Sequence, residues 1–265
     1  MLRSSSIMLL ILSASTAAQA TQMVGYKADY AMKLASPTTQ SPITEIEGRS
    51  VYTIMNDCEG WDSVEDYLLS FTYETGEELI IASHFASWEG LSGDLYSFEI
   101  SEESNYEPDM DFNGFAQRNE AAAPTAVFSM QPDQVMPLPG DVLFPVTHTQ
   151  EILKRARAGE TTYFAHVFFG AEPDRAIKKA SAIIGQKSKT QNMSHIDSSL
   201  IELDVWPVQI AYFNPDDSSG IPDYELRLML QDNGIVQSYS VNYGDFVLSA
   251  DMLSLAPTDM PVCKG

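Results

Sequence analysis

Residues 224–246 read YELRLMLQDNGIVQSYSVNYGDF. Tyr224, Leu226, Leu228 and Leu230 alternate with Glu225, Arg227, Met229 and Gln231, which gives an extended segment one apolar and one mostly polar face. Asp232-Asn233-Gly234 follows, and Asn-Gly readily takes the positive φ values that a tight hairpin demands. Ile235, Gln237, Tyr239 and Val241 then alternate with Val236, Ser238, Ser240 and Asn242, and after Tyr243-Gly244-Asp245 a further strand begins at Phe246. Three consecutive antiparallel strands are the economical reading.

Working outward, the same period of two recurs at Val51 to Asn56, Tyr67 to Tyr73, Leu79 to Trp88, Leu95 to Ser101, Tyr163 to Phe169 and Leu203 to Phe213, with Thr75-Gly76 and Leu91-Ser92-Gly93 as turns. The protein is therefore all-β, with a dozen or more strands. So many antiparallel strands must curl, close or split, because a flat sheet of that size leaves long edges exposed. One segment reads as helix. Thr147 or Thr149 caps a run from Gln150 to Ala158, about residues 148–158 in all, with Ile152, Leu153 and Ala156 as its apolar stripe and Gly159 as its stop. Its opposite face carries Lys154, Arg155 and Arg157, cations that complement the C-terminal end of the helix dipole. Gly185 to Ser199 is polar and reads as a mobile loop between strands.

The chain has 265 residues, 44% of them hydrophobic and 10% aromatic, enough for a real core. Fifteen Lys and Arg against 37 Asp and Glu give a net charge of −22, so phosphate backbones and anionic lipid faces are repelled and nucleic acid is excluded as a partner. The first twenty residues run from Arg3 through an apolar stretch, Ile7 to Leu12, into Ala18-Gln19-Ala20, the three-part pattern of a secretory signal peptide. Cleavage after Ala20 leaves 245 residues, 21–265, and loss of Arg3 takes the charge to −23. No later run reaches the ~18 apolar residues of a transmembrane segment.

Export changes how the two cysteines, Cys58 and Cys263, are read. Lying 205 residues apart, they either form one disulfide that closes most of the chain into a ring or stay as two buried thiols. Redox chemistry of the thioredoxin type lacks its C-x-x-C.

Catalytic signatures are sparse. Asp109-x-Asp111-x-Asn113-Gly114 with Glu120 fits the calcium-loop expression of an EF-hand, but Pro108 and strand-like surroundings replace the flanking helices, so a strand containing a glycine is preferred. His84, His148, His166 and His195 show no zinc-peptidase spacing and read as structural, and neither a nucleophile elbow nor a phosphate loop occurs. Asp216 with Asp217 and Glu77 with Glu78 lie in turn-like contexts, and nothing places two carboxyls across a cleft as a cell-wall glycosidase would require. The residues therefore suggest no catalytic site, no metal and no cofactor.

Three blocks resemble the EipB-like cell-envelope integrity proteins of Gram-negative bacteria. The first is Gly48-Arg49-Ser50-Val51-Tyr52 leading to Asp57-Cys58-Glu59-Gly60-Trp61 and then Trp88-Glu89. The second runs from Leu138-Pro139-Gly140 through Leu143-Phe144-Pro145, His148-Thr149 and Ala158-Gly159-Glu160 to Phe168-Phe169-Gly170 and Ile184-Gly185. The third joins Trp206, Ala211-Tyr212-Phe213, Ile221-Pro222-Asp223-Tyr224-Glu225, Asn233-Gly234, Tyr243-Gly244-Asp245-Phe246 and Cys263. Phe169, where the pattern expects an acidic residue, and the short Asp216 to Gly220 turn depart from it.

The resemblance implies a periplasmic protein in which residues 21–265 form a single domain, an open β-barrel or β-spiral with one associated helix. It also implies a Cys58–Cys263 disulfide, a role in envelope integrity under stress, a periplasmic tetratricopeptide-repeat partner and no known catalytic residues. The expected function is thus non-enzymatic binding. The alternative is a carrier of lipid or lipoprotein with a half-open barrel.

Overall fold

The structure, a computed structural model, describes residues 22–37, 41–106, 108–119, 122–170, 172–189, 193–202, 204–259 and 263. The signal-peptide reading, residues 1–20, lies outside them, as does Glu120 of the calcium-loop expression. Among the described residues, sixteen strands form one sheet. In chain order they are β1 (Tyr26–Pro37), β2 (Ile43–Asn56), β3 (Gly60–Tyr73), β4 (Glu78–Gly90), β5 (Leu95–Ser104), β6 (Met110–Asn119), β7 (Ala122–Phe128), β8 (Val135–Pro137) and β9 (Val142–Leu143). The helix α1 (Pro145–Ala158) follows, and then β10 (Thr162–Phe168), β11 (Ile177–Ile184), β12 (Ser188–Lys189), β13 (Asp204–Phe213), β14 (Tyr224–Gln231), β15 (Val236–Asn242) and β16 (Phe246–Pro257).

The spatial order is β8-β7-β6-β5-β4-β3-β2-β1-β16-β15-β14-β13-β11-β10-β9, with β12 on β13. Two meanders are therefore joined where the first strand pairs with the last. The outermost strands, β8 and β9, are consecutive in the chain, so residues 138–141 alone connect the two ends of the sheet. That short link forces the sheet to curl until its ends meet, although β8 and β9 are not hydrogen-bonded to one another. The curl goes past closure. Tyr96 and Phe98 of β5, Ala116 of β6 and Phe128 of β7 share a core with Phe144, Phe168 and Ala176, so the first arm lies over the β9–β10 end. Tyr96 stacks on Phe144 at 5.0 Å between ring centroids, Phe98 meets Phe168 edge-on at 5.8 Å, and the Tyr96 hydroxyl donates to the Phe169 carbonyl at 3.0 Å. This is an open, overlapping spiral, as expected.

Strands β2, β3 and β4 run 13 or 14 residues, well beyond the segments marked by alternation alone, because each completes its neighbour's hydrogen-bond ladder. Hairpin β14–β15 turns at Asn233-Gly234, with Gly234 at φ +88°, as its sequence requires. The alternation proposed for Ile235 to Val241 is broken, however. Leu230 opposes Val236 while Leu228 opposes Tyr239, so one extra residue bulges on β15 and turns both Val236 and Tyr239 inward. Gln237 consequently faces away from them and is buried among amides: its Nε2 donates to Gln231 Oε1 at 2.7 Å and to the Glu202 carbonyl.

Those amides also anchor the chain just beyond Gly185 to Ser199, the stretch read as a mobile loop between strands, which among the described residues is irregular apart from β12. Gln231 and Asn233 donate to the Leu200 carbonyl at 3.0 and 3.2 Å, His195 Nε2 contacts the Met252 carbonyl at 3.0 Å, and Ile196 is buried in the main core. The described polar residues of the stretch itself, Gln186, Lys187, Ser188, Lys189, Ser194, His195, Asp197 and Ser199, are exposed, as suits a polar connection between strands. Cys58 and Cys263 are joined by a disulfide, Cα to Cα 5.5 Å, which fastens the segment after β16 to the β2–β3 turn.

The helix begins at Pro145, earlier than expected, with neither threonine as its cap. Pro145 supplies a fixed φ at the first helical position, and Gly159 ends the helix at φ +74°. Thr149 lies inside the first turns and donates back to the Pro145 carbonyl at 3.0 Å. The cap comes from β4: Glu89, 1% exposed, accepts from the amides of Val146 and Thr147 at 2.7 and 2.8 Å and from the Thr147 hydroxyl. A negative group at the positive end of the helix dipole also favours that position electrostatically. Replacing Glu89 with alanine orphans two buried amides. The expected cost is about 2 kcal/mol, read as a lower urea midpoint with unchanged slope, and Glu89→Gln, which keeps one acceptor, is expected to cost less.

Candidate functional site

The concave face of the curled sheet is not completely filled. Between it and α1 lies a cavity of about 590 Å³, within the range of small-molecule sites. Eight of the chain's twelve tyrosines line it: seven because strands β1, β2, β3, β13, β14 and β15 each turn alternate residues inward and the curvature makes those faces converge, and Tyr243 from the turn after β15. Leu226, Leu228, Leu230, Val236 and Leu248 supply apolar wall. The side chains first marked as the dry face of β14 are thus the lining of a chamber more than a packed core. Tyr243, 47% exposed, is a lining residue and marks the mouth, beside Phe246. The six-residue rise from Tyr224 to Leu230 sets a depth of about 20 Å. At the far end the base is closed by Met23, whose Cγ would lie 2.9 Å from any Cβ added to Gly234, and Val24 N donates to the Asn233 carbonyl at 3.0 Å.

Two lining groups are titratable besides the phenols. Glu65 of β3 sits between Tyr52 and Phe85 in register. Its Oε1 accepts from Ser50 Oγ at 2.8 Å and, at 3.5 Å, from the Tyr239 hydroxyl. Burial raises its pKa, with the Ser50 and Tyr239 hydrogen bonds opposing the rise. Tyr30 packs edge-on to Tyr239 at 5.4 Å and donates to the carbonyl of Val236, at the bulge, at 2.6 Å. Burial lifts the pKa of Tyr26, Tyr30, Tyr52 and Tyr239, chiefly by desolvation and further by the Glu65 charge, so these phenols remain donors.

The second group, His148, lies on the inward face of α1, 3% exposed, stacked at 6.0 Å from the Tyr163 ring; its Nε2 has no hydrogen-bond partner among the described residues. Burial lowers its pKa from 6.5 to about 4. The folded protein holds it neutral while the unfolded chain takes up a proton from pH 6.5 downward, so this contribution is whole above 6.5 and is lost as pH falls to 4. The loss amounts to about 3 kcal/mol. Glu65 and Glu89 act in the other sense, since stability tied to their raised pKa values is present at low pH and lost as pH rises through them. The difference between wild type and His148→Phe therefore isolates the histidine. Unfolding followed from pH 7 to 4 is expected to show the variant losing less stability than wild type.

The other candidates are dispersed. His84 pairs with Asp66 at 2.6 Å and His166 with Asp141 at 2.9 Å, both toward solvent. Asp111 and Asn113 lie in the extended β6, where the chain does not wrap an ion, and among the described residues no group of three or more His, Cys, Asp or Glu could hold a metal. Asp217 caps its own turn through Ser219, and Glu78 accepts from Ser70 at 2.5 Å. The cations of the helix face are each paired with a carboxylate: Arg155 lies 4.1 Å over Tyr163 and pairs with Glu160 at 2.6 Å, Arg157 pairs with Asp232 at 2.6 Å, and Lys154 pairs with Glu151 at 2.8 Å. Phe169, the departure from the acidic pattern, lines the cavity and meets Tyr212 edge-on at 5.5 Å, so an apolar residue suits its place. What the sequence left unmarked is the pair Glu65 and His148 facing one chamber.

Comparison with known proteins agrees with this architecture. The sequence model described as EipB-like matches residues 17–259. A curated relative, the cell envelope integrity protein EipB of Brucella abortus (strain 2308), is 24% identical over 245 residues, 91% of this chain and 87% of the relative. A crystal structure of a β-barrel-like protein of a domain of unknown function from Brucella abortus superposes with a TM-score of 0.81 at 23% identity, over 91% of this chain and all of that one. That likeness is one of fold. No helix among the described residues is long and apolar enough to cross a membrane.

Proposed function

This chain belongs to the EipB-like family, and on that premise we propose that it supports cell-envelope integrity without catalysis, by binding, after export to the periplasm and removal of residues 1–20. Residues 21–265 act as one β-spiral domain, with the Cys58–Cys263 disulfide holding the tail against the β2–β3 turn. The observation that carries the reading is the cavity of about 590 Å³, walled by tyrosines and aliphatic side chains. A cavity of that character favours a carrier of an envelope amphiphile, lipid or lipoprotein, because burying each methylene of a chain contributes about 0.8 kcal/mol.

Native protein prepared without detergent, extracted with organic solvent and analysed by mass spectrometry, is expected to release a chain-bearing molecule in stoichiometric amount. Lipid-free protein that captures a tetratricopeptide-repeat partner through its outer surface would replace the carrier reading with that of a scaffold.

A further inference from the structure

Among the described residues, the chamber is lined by one carboxylate and by no lysine or arginine. That carboxylate is Glu65, the only Asp, Glu, Lys or Arg among the described lining residues, and the hydroxyls of Ser50 and Tyr239 lie beside it. The nearby features that could receive an anion are already occupied. The N-terminal amides of α1 are taken by Glu89, and Arg155, Arg157 and Lys154 are paired on the other side of the helix with Glu160, Asp232 and Glu151. A ligand carboxylate brought inside would meet a like charge at low dielectric and no compensating partner, whereas a hydroxyl or amide would find the Glu65 oxygens as acceptors and the unpartnered Nε2 of His148 as a second polar point.

We propose that the cavity is selective by head group: it takes a single-chain amphiphile with an uncharged, hydrogen-bond-donating head, such as an acylglycerol or an acyl amide, and Glu65 rejects the free fatty acid of the same chain. The inference rests on the cavity-binding reading above and adds the chemistry of the occupant. Glu65 is a specificity group here, because it discriminates between ligands of equal apolar surface.

The test competes dodecanol and dodecanoate, below their aggregation concentrations and near neutral pH, against N-phenylnaphthylamine fluorescence in the signal-free protein. Dodecanol is expected to displace the probe at a concentration at least about tenfold lower than dodecanoate, and Glu65→Gln is expected to bring the two within about threefold. An unchanged thermal transition in the absence of ligand, or one moved upward, verifies that the variant is folded. Equal displacement by both ligands in wild type overturns the proposal. So does a dodecanoate penalty that persists in Glu65→Gln, which would assign it to desolvation of the ligand carboxylate or to the net charge of −23 on residues 21–265. If neither ligand displaces the probe, or the probe does not bind, the cavity-binding reading itself falls and takes this inference with it.

Discussion

Serine at Cys58 is expected to lower stability by up to roughly 5 kcal/mol, the chain-entropy value for a tether closing more than 200 residues, and the unfolding midpoint by about 10–20 °C. The disulfide spans 205 residues and joins the last segment of the chain to the turn between β2 and β3. That turn has its own supports. Asn56 Oδ1 accepts from the Cys58 amide at 3.0 Å, Asp57 Oδ1 accepts from the Glu59 and Gly60 amides at 2.9 and 2.6 Å, and Asp57 Oδ2 accepts from Trp88 Nε1 at 3.0 Å. Because serine leaves those bonds in place, the loss comes from freeing the unfolded chain and, with it, the end of β16. Cys58→Ser, Cys263→Ser, the double variant and wild type reduced and alkylated are therefore expected to share one midpoint. A double variant much less stable than either single would mean that the two sulfurs contribute separately.

How far the sequence foretold this molecule depends on the distance over which each feature is determined. The β14–β15–β16 meander was legible because its apolar alternation and its Asn-Gly turn are local. The bulge on β15 was not, since Val236 and Tyr239 turn inward only when Leu230 and Leu228 are already in register opposite them. The helix body was marked by Ile152, Leu153 and Ala156, but its start is fixed by Glu89, 57 residues before the amide it caps. A buried glutamate in Trp88-Glu89-Gly90 carries no local sign of being a cap. The cavity is the extreme case. Glu65 stands in an ordinary Val-Glu-Asp-Tyr strand and His148 beside a threonine, and only the curl of the sheet brings both to one chamber. Counting cysteines limited the pairing to one possibility without showing that it forms. Resemblance, more than any spacing, supplied that step.

Valine at Gly170 is expected to be the most damaging single change outside the disulfide, costing about 4 kcal/mol by denaturant titration. Gly170 follows β10 with φ +77°, a conformation that β-branched residues adopt only under strain. A Cβ there also falls against the Phe98 ring, 2.7 Å from Cδ2 and nearer still to Cγ and Cδ1. The ring has nowhere to retreat, since Phe128 and Phe168 meet it edge-on at 5.3 and 5.8 Å and Tyr96 stacks on it at 6.1 Å. This is the place where the β5 arm overlaps the β10 end, so the substitution wedges the spiral open at its seam. Removing the ring should relieve the wedge. Phe98→Ala alone is expected to cost about 3–5 kcal/mol, yet combined with Gly170→Ala the total should fall well short of the sum, because only the positive φ remains to be penalised. Strict additivity would mean that the two arms do not touch at these residues. The neighbouring Phe169 lines the cavity against Tyr212. A variant that parts the seam is therefore expected to bind N-phenylnaphthylamine more weakly as well, which couples the stability of the overlap to the shape of the chamber it encloses.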